Sequence, residues 1–124
     1  MTYMLKDGLD QPLIDLVAIT PQPRSPGLQY TRRTFAADGT PVNEGPYVPL
    51  YWNITSKTQY QSLLTQFGLM SAGTNDITIR ARDEEYDFVR YNGRAIKPVP
   101  GDGVDWSRGF PRNLTIIVRV LGTA

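Results

Sequence analysis

Four carboxylates crowd one short stretch of this chain: Asp83, Glu84, Glu85 and Asp87. Paired acids are the equipment of glycosidic-bond hydrolysis, one as general acid and the other as base or nucleophile. The spacing argues against that use. Consecutive residues on a strand or turn point to opposite faces, so neighbouring carboxylates do not converge on one bond. Arg80, Arg82 and Arg90 lie close enough in sequence to neutralise them. A solvated hairpin face, or ion pairing with another subunit, therefore outweighs metal binding or catalysis.

The other chemistry-bearing groups are sparser. Asp102 and Asp105 sit among glycines as in part of a calcium loop, but the twelve-residue spacing and its closing Glu are absent. Gly101, Gly103 and Gly109 match neither phosphate-cradling pattern. The chain has no histidine and no cysteine, which removes the commonest general base, the usual nucleophile–base pairs and nearly all structural zinc chemistry. A non-enzymatic chain without cofactor or metal is the expectation. Arg24, Arg32 and Arg33 beside Tyr30 and Phe35 could stack on single-stranded nucleic acid. A net charge of only +1, from 13 basic and 12 acidic residues, argues against a dedicated nucleic-acid binder. A solvated or subunit-facing strand is favoured, with no sequence-specific nucleic acid as partner. Trp52, Trp106, Tyr47, Tyr51 and Tyr91 could form a carbohydrate platform. Trp52 falls on the apolar face of its strand and reads as core. Trp106 and Tyr51 are harder to bury, and aromatics and arginines left outside suit a protein interface.

The elements that must carry these residues fit one domain over residues 1–124. No run approaches the ~18 apolar residues of a membrane span, so no membrane partner is expected. The first ten residues include Lys6, Asp7 and Asp10 and lack the apolar stretch of a secretory signal. The triplets Asn53-Ile54-Thr55 and Asn113-Leu114-Thr115 then read as chance matches to a glycosylation motif, each placed in strand.

Residues 13–19 form a short apolar run, read as strand. Three prolines within 20–27 mark an extended connector. Residues 28–36 alternate, with Leu28, Tyr30, Arg32 and Thr34 on one face and Gln29, Thr31, Arg33 and Phe35 on the other. Neither face is cleanly apolar, which fits an edge strand or one that meets a partner. Asp38-Gly39 signals a turn. Residues 42–46 read as loop, so the hairpin tip at 38–45 should project beyond the sheet. Residues 47–54 alternate again, with Pro49 placing that strand at an edge or bulge. Ser56 as N-cap with Gln59, then Tyr60, Leu63, Leu64 and Phe67 at helical spacing, and Gly68 as left-handed stop, predict a helix over about 56–67. Residues 70–75 read as loop and 76–83 as strand, with Ile77, Ile79 and Ala81 inward and Thr78 outward. Residues 86–91 and 94–99 read as strands joined by a type I′ turn at Asn92-Gly93. Residues 100–112 read as loop. Residues 113–121 close the fold as a strand whose Ile117 and Leu121 suggest burial on both faces. The pattern predicts a mainly β fold, α+β at the margin: an antiparallel β-sandwich or rolled sheet with one flanking α-helix.

The string Tyr30-Thr31-Arg32-Arg33-Thr34-Phe35-Ala36-Ala37-Asp38-Gly39-Thr40, with Gly45-Pro46-Tyr47-Val48-Pro49-Leu50-Tyr51-Trp52, resembles small virion proteins of tailed bacteriophages. Pro111-Arg112-Asn113-Leu114-Thr115-Ile116-Ile117-Val118-Arg119 is similar to their last strand. The layout resembles the tail-tube and distal-tail fold. That resemblance implies a β-sandwich, one flanking helix and a long hairpin that pairs with the next subunit. It also implies a virion location, assembly in the host bacterial cytoplasm, copies of the chain joined in a ring, and other phage virion proteins as partners. It brings no catalytic residues. The expected contact residues are Tyr30, Arg32, Arg33, Phe35, Asp38, Glu44, Tyr47, Tyr51, Trp106 and Arg108. The alternative is a head-decoration or fibre-associated protein- or carbohydrate-binding module.

Overall fold

The structure, a computed structural model, describes residues 2–54, 56–97 and 113–124, with only the backbone of Arg33, Asn43 and Asn113. The most locally determined element is helix α1, Lys57–Phe67. Ser56 Oγ accepts from the Gln59 amide at 3.2 Å, satisfying one of the open donors of the first turn. At the other end Gly68 takes φ 71°. The Leu69 amide reaches back to the Leu64 carbonyl at 2.8 Å and the Gly68 amide to Thr65, the paired bonds of a Schellman stop. Leu63, Leu64 and Phe67 are buried on one stripe, and the Phe67 ring meets Trp52 edge-on at 5.8 Å and 80°.

Seven strands accompany this helix: β1 (Met4–Asp7), β2 (Val17–Ala18), β3 (Gln29–Phe35), β4 (Pro41–Asn53), β5 (Thr74–Arg82), β6 (Phe88–Ile96) and β7 (Asn113–Thr123). They pair antiparallel in the order β2-β1-β5-β6-β7-β4-β3. Mainly β, antiparallel, with one flanking helix, the fold is the class that the alternation predicts. The sheet curls over its own inner face. Although β6, β7 and β4 separate β5 from β3, the Leu28 amide donates to the Arg82 carbonyl at 2.9 Å. The inner face holds one cluster drawn from every strand except β2 and β3, with Leu50, Ile77, Ile79, Ile116 and Val118 fully buried among α1 residues. Burying each such side chain contributes about 1.5–3 kcal/mol before entropy is counted.

The structure departs from the sequence reading at definite places. Residues 13–19 are not a strand but a single 3-10 turn, Leu13–Asp15, followed by the two-residue β2. Only Leu16 and Ile19 of that run are buried. The Asp15 amide bonds the Pro12 carbonyl, and the turn spends the backbone donor that a ladder would need. Residues 42–46 are strand, not loop, because β4 continues back to Pro41 opposite Phe35. β5 starts at Thr74, inside the stretch expected as loop. Thr78 is buried although it faces away from the core. The segment after β1 lies over it, its hydroxyl donating to Gly8 O at 2.9 Å and accepting from the Gln11 amide at 3.0 Å.

Asn92-Gly93 is not a hairpin turn. β6 runs through it, with a register irregularity against β7 at that point. The glycine serves close approach: a Cβ there would lie 2.5 Å from Val118 Cγ1. The hairpin turn lies earlier, where Asp83 Oδ1 accepts from the Glu85 and Asp87 amides and Tyr86 takes φ 67°. Ile117 and Leu121 are exposed, so β7 is buried on one face only. Pro49 does stand where a missing donor costs little. It shares parity with Tyr51, whose amide and carbonyl bond Arg24 of the connector rather than β7.

Candidate functional site

β4 serves two neighbours in succession. Residues from Tyr47 to Asn53 pair with β7, whereas residues from Pro41 to Pro46 pair only with β3. β7 meanwhile continues along β6 as far as Thr123. The two strands therefore fork at Pro46 and Gly45. Pro46 brings no amide donor, and Gly45 adopts φ 62°, a backbone turn that a side chain resists. A Cβ on Gly45 would run into the Thr31 hydroxyl. Beyond the fork, β3 and the first half of β4 form a two-stranded arm of about 20 Å at the usual rise per residue.

The arm collects most of the residues expected to make contacts. Tyr30, at its base, donates from its hydroxyl to Glu84 Oε1 at 2.6 Å, tying the arm to the β5–β6 turn. Arg32 and Glu44 face each other across the strands with a 4.0 Å charge separation, both exposed. An exposed pair of this kind contributes at most about 1 kcal/mol. Thr31 Oγ1 donates to the Glu44 carbonyl at 3.2 Å. Arg33 pairs through its backbone with Asn43. Phe35 is 70% exposed at the end of β3. Asp38 shapes the tip: its Oδ1 accepts from the Thr40 amide at 3.0 Å. Bonds from the Thr40 amide and hydroxyl hold this carboxyl below its ordinary value. Tyr51 lies apart from the arm and is exposed beside the Arg24 bridge. Trp106 and Arg108 lie outside the described residues, as do Asp102, Asp105 and the rest of 98–112.

At the fork the outer face of the sheet opens into a groove of about 470 Å³, lined by Thr31, Gly45, Tyr47, Ile96, Ile117 and Arg119. Ile96 and Ile117 stand opposite each other across β6 and β7, and Tyr47 stands opposite Arg119. Tyr47 is among the contact residues the sequence predicts, whereas the two isoleucines are not. The sequence signal for Ile117 is the apolar outer parity of β7, a pattern that fits burial on both faces equally well.

The acid cluster resolves into turn structure. Asp83 caps its own turn and Glu84 holds Tyr30. The nearby arginines do not form ion pairs with these acids. Arg80 binds the Thr2 carbonyl, Arg90 the Gln11 carbonyl, and Arg82 the Tyr86 carbonyl while lying 4.5 Å over the Phe88 ring. The acids act at a distance on Tyr91, whose phenol is pushed above its ordinary value by burial first and then by Asp83 and Glu84. Among the described residues no group of three acidic, histidine or cysteine side chains is placed to hold a metal ion. No helix among them is long and apolar enough to cross a membrane.

The site is thus an exposed surface: a forked sheet with a ribbon arm and an apolar groove at its root. No family model, no curated protein and no solved structure matches the chain.

Proposed function

We propose that this chain is a non-enzymatic structural protein of a tailed-bacteriophage virion, placed in the tail or at one of its junctions. Copies join into a ring and dock to other virion proteins, and assembly takes place in the host bacterial cytoplasm. The observation that carries the reading is the arm. Among the described residues, the far edge of β3 has no strand beside it, and β4 from Pro41 to Pro46 has β3 alone. A two-stranded ribbon is marginal by itself in water. Its unpaired backbone groups and the exposed Phe35 and Val42 gain most by lying against another chain. A ring of identical subunits supplies such a neighbour at every position through a head-to-tail contact.

Light scattering coupled to sizing, over a wide concentration range and followed by imaging of the largest species, tests this. Closed particles of one size are expected. A strict monomer at the highest concentration, with virion partners present, would overturn the proposal.

A further inference from the structure

The margin of the sheet opposite the arm carries a second apolar surface. Leu13 is 52% exposed, Ile14 90% and Val17 66%, all within five residues of chain. Single exposed aliphatics are ordinary, but a run of them on one turn is a patch that asks for a cover. The turn is not loose. The segment beneath it is fastened by Thr78 to Gly8 and Gln11, by Asn92 to Asp10 at 2.8 Å in both directions, and by Arg90 to the Gln11 carbonyl. The patch is therefore a fixed knob at the β2 margin.

We infer that the Leu13–Ile14 knob of one copy seats in the Tyr47–Ile96–Ile117 groove of the next copy. This rests on the assembly reading above and specifies which faces meet. Two observations commit the groove to a second copy. The first is charge. From Asp7 to Pro23 the chain carries three acids and no base, with Asp10 and Asp15 flanking the knob. Among the described residues the groove is lined by Arg119 and no acid, and Arg119 forms no ion pair. Asp15 meeting Arg119 places opposite charges at the rim of an apolar contact, which fixes register and partner. The second is placement. The knob sits by β2 and the groove lies over β6, β7 and β4, toward the other margin of the same sheet. One molecule can thus give its knob and receive another at once, the condition for a heterologous chain of contacts. The volume agrees, since about 150 Å³ holds one benzene-sized group and the groove is about 470 Å³.

The absence of native cysteine makes the test clean. Single variants Ile14→Cys and Ile117→Cys, both at exposed sites, are mixed as full-length chains and treated with a short bis-maleimide. Covalent dimers should form in the mixture and be scarce with either variant alone. Equal yield from one variant alone, or a mixture yield no higher than with Thr58→Cys on the outer face of α1 in place of Ile117→Cys, would overturn the inference. In parallel, Arg119→Glu should weaken self-association about tenfold or more, and Asp15→Arg added to it should restore association. Failure of that rescue would count against the inference too. If the chain assembles but 14 and 117 do not cross-link, this contact is wrong while the assembly reading stands. If the chain stays monomeric throughout, both fall.

Discussion

Replacing Gly93 by alanine probes the place where an apparent turn proved to be strand. Gly93 lies on the inner side of β6 between Tyr91 and Ala95, and all three are buried. The added methyl would lie 2.5 Å from Val118 Cγ1 and 3.2 Å from the Arg119 carbonyl oxygen. The oxygen belongs to the β6–β7 ladder and cannot yield cheaply, so Val118 must move or the strands must part. Overpacking of this kind costs about 1–3 kcal/mol. At roughly 4 °C per kcal/mol for a chain of this size, Tm should fall by about 4–12 °C. Val118→Ala alone removes two methyl groups from the core and should cost about 2 kcal/mol. In the double variant the new methyl occupies space that Val118 has vacated. The double should therefore be more stable than the summed penalties allow, by about 1 kcal/mol or more. Urea and thermal unfolding of the wild type, both single variants and the double measure this directly. Were Asn92-Gly93 an exposed type I′ turn, the penalty would come from the backbone and ignore Val118. Strict additivity of the two substitutions would refute the close-approach argument.

Other outcomes follow from the same geometry. Gly45→Ala forces a methyl into a left-handed backbone against Thr31, at a cost of about 1–2 kcal/mol; faster amide exchange should be confined to the arm, and equal loss of protection in β5 would count against a separate arm. Phe67→Ala empties the space beneath Trp52 and should cost about 3–5 kcal/mol in urea unfolding. Tyr91 should ionise later than free tyrosine in an absorbance titration, as should Tyr60, and Tyr91→Phe should remove only its own share of the late component. Because its folded value is raised, its contribution to stability is fully present below the ordinary tyrosine value and is lost as pH climbs through the folded one.

The parts of the fold readable from sequence were those decided by neighbours in the chain. Ser56, Gln59 and Gly68 bounded α1 because caps act within one turn. Alternation found the inner faces of β4, β5 and β7 because one side of each is buried. What escaped was set by distant chain. Gly93 is the same residue in a turn and in a tight crossing, and only Val118, far along the sequence, distinguishes them. Thr78 looked like a surface residue until the segment from Gly8 to Gln11 closed over it. Of the candidate contact surface, the arm was half visible. The hairpin and its edge character followed from residues 28–36, but the fork depended on where β7 stops pairing with β4. The knob was hidden because an apolar run with one acid reads equally as strand or as turn.

The fastening of the first dozen residues also orders events in time. β1 pairs with β5, and the bonds from Gln11 to Thr78 and from Asp10 to Asn92 close loops of 67 and 82 residues. Closures that long are slow and come after local hairpins such as β5–β6 have formed. Pulse-labelled exchange should accordingly find residues 4–11 protected later than 77–81. On the proposed contact, a nascent polypeptide would then lack its knob until the rest is complete, and immature molecules would be kept from joining one another by the schedule of their own maturation.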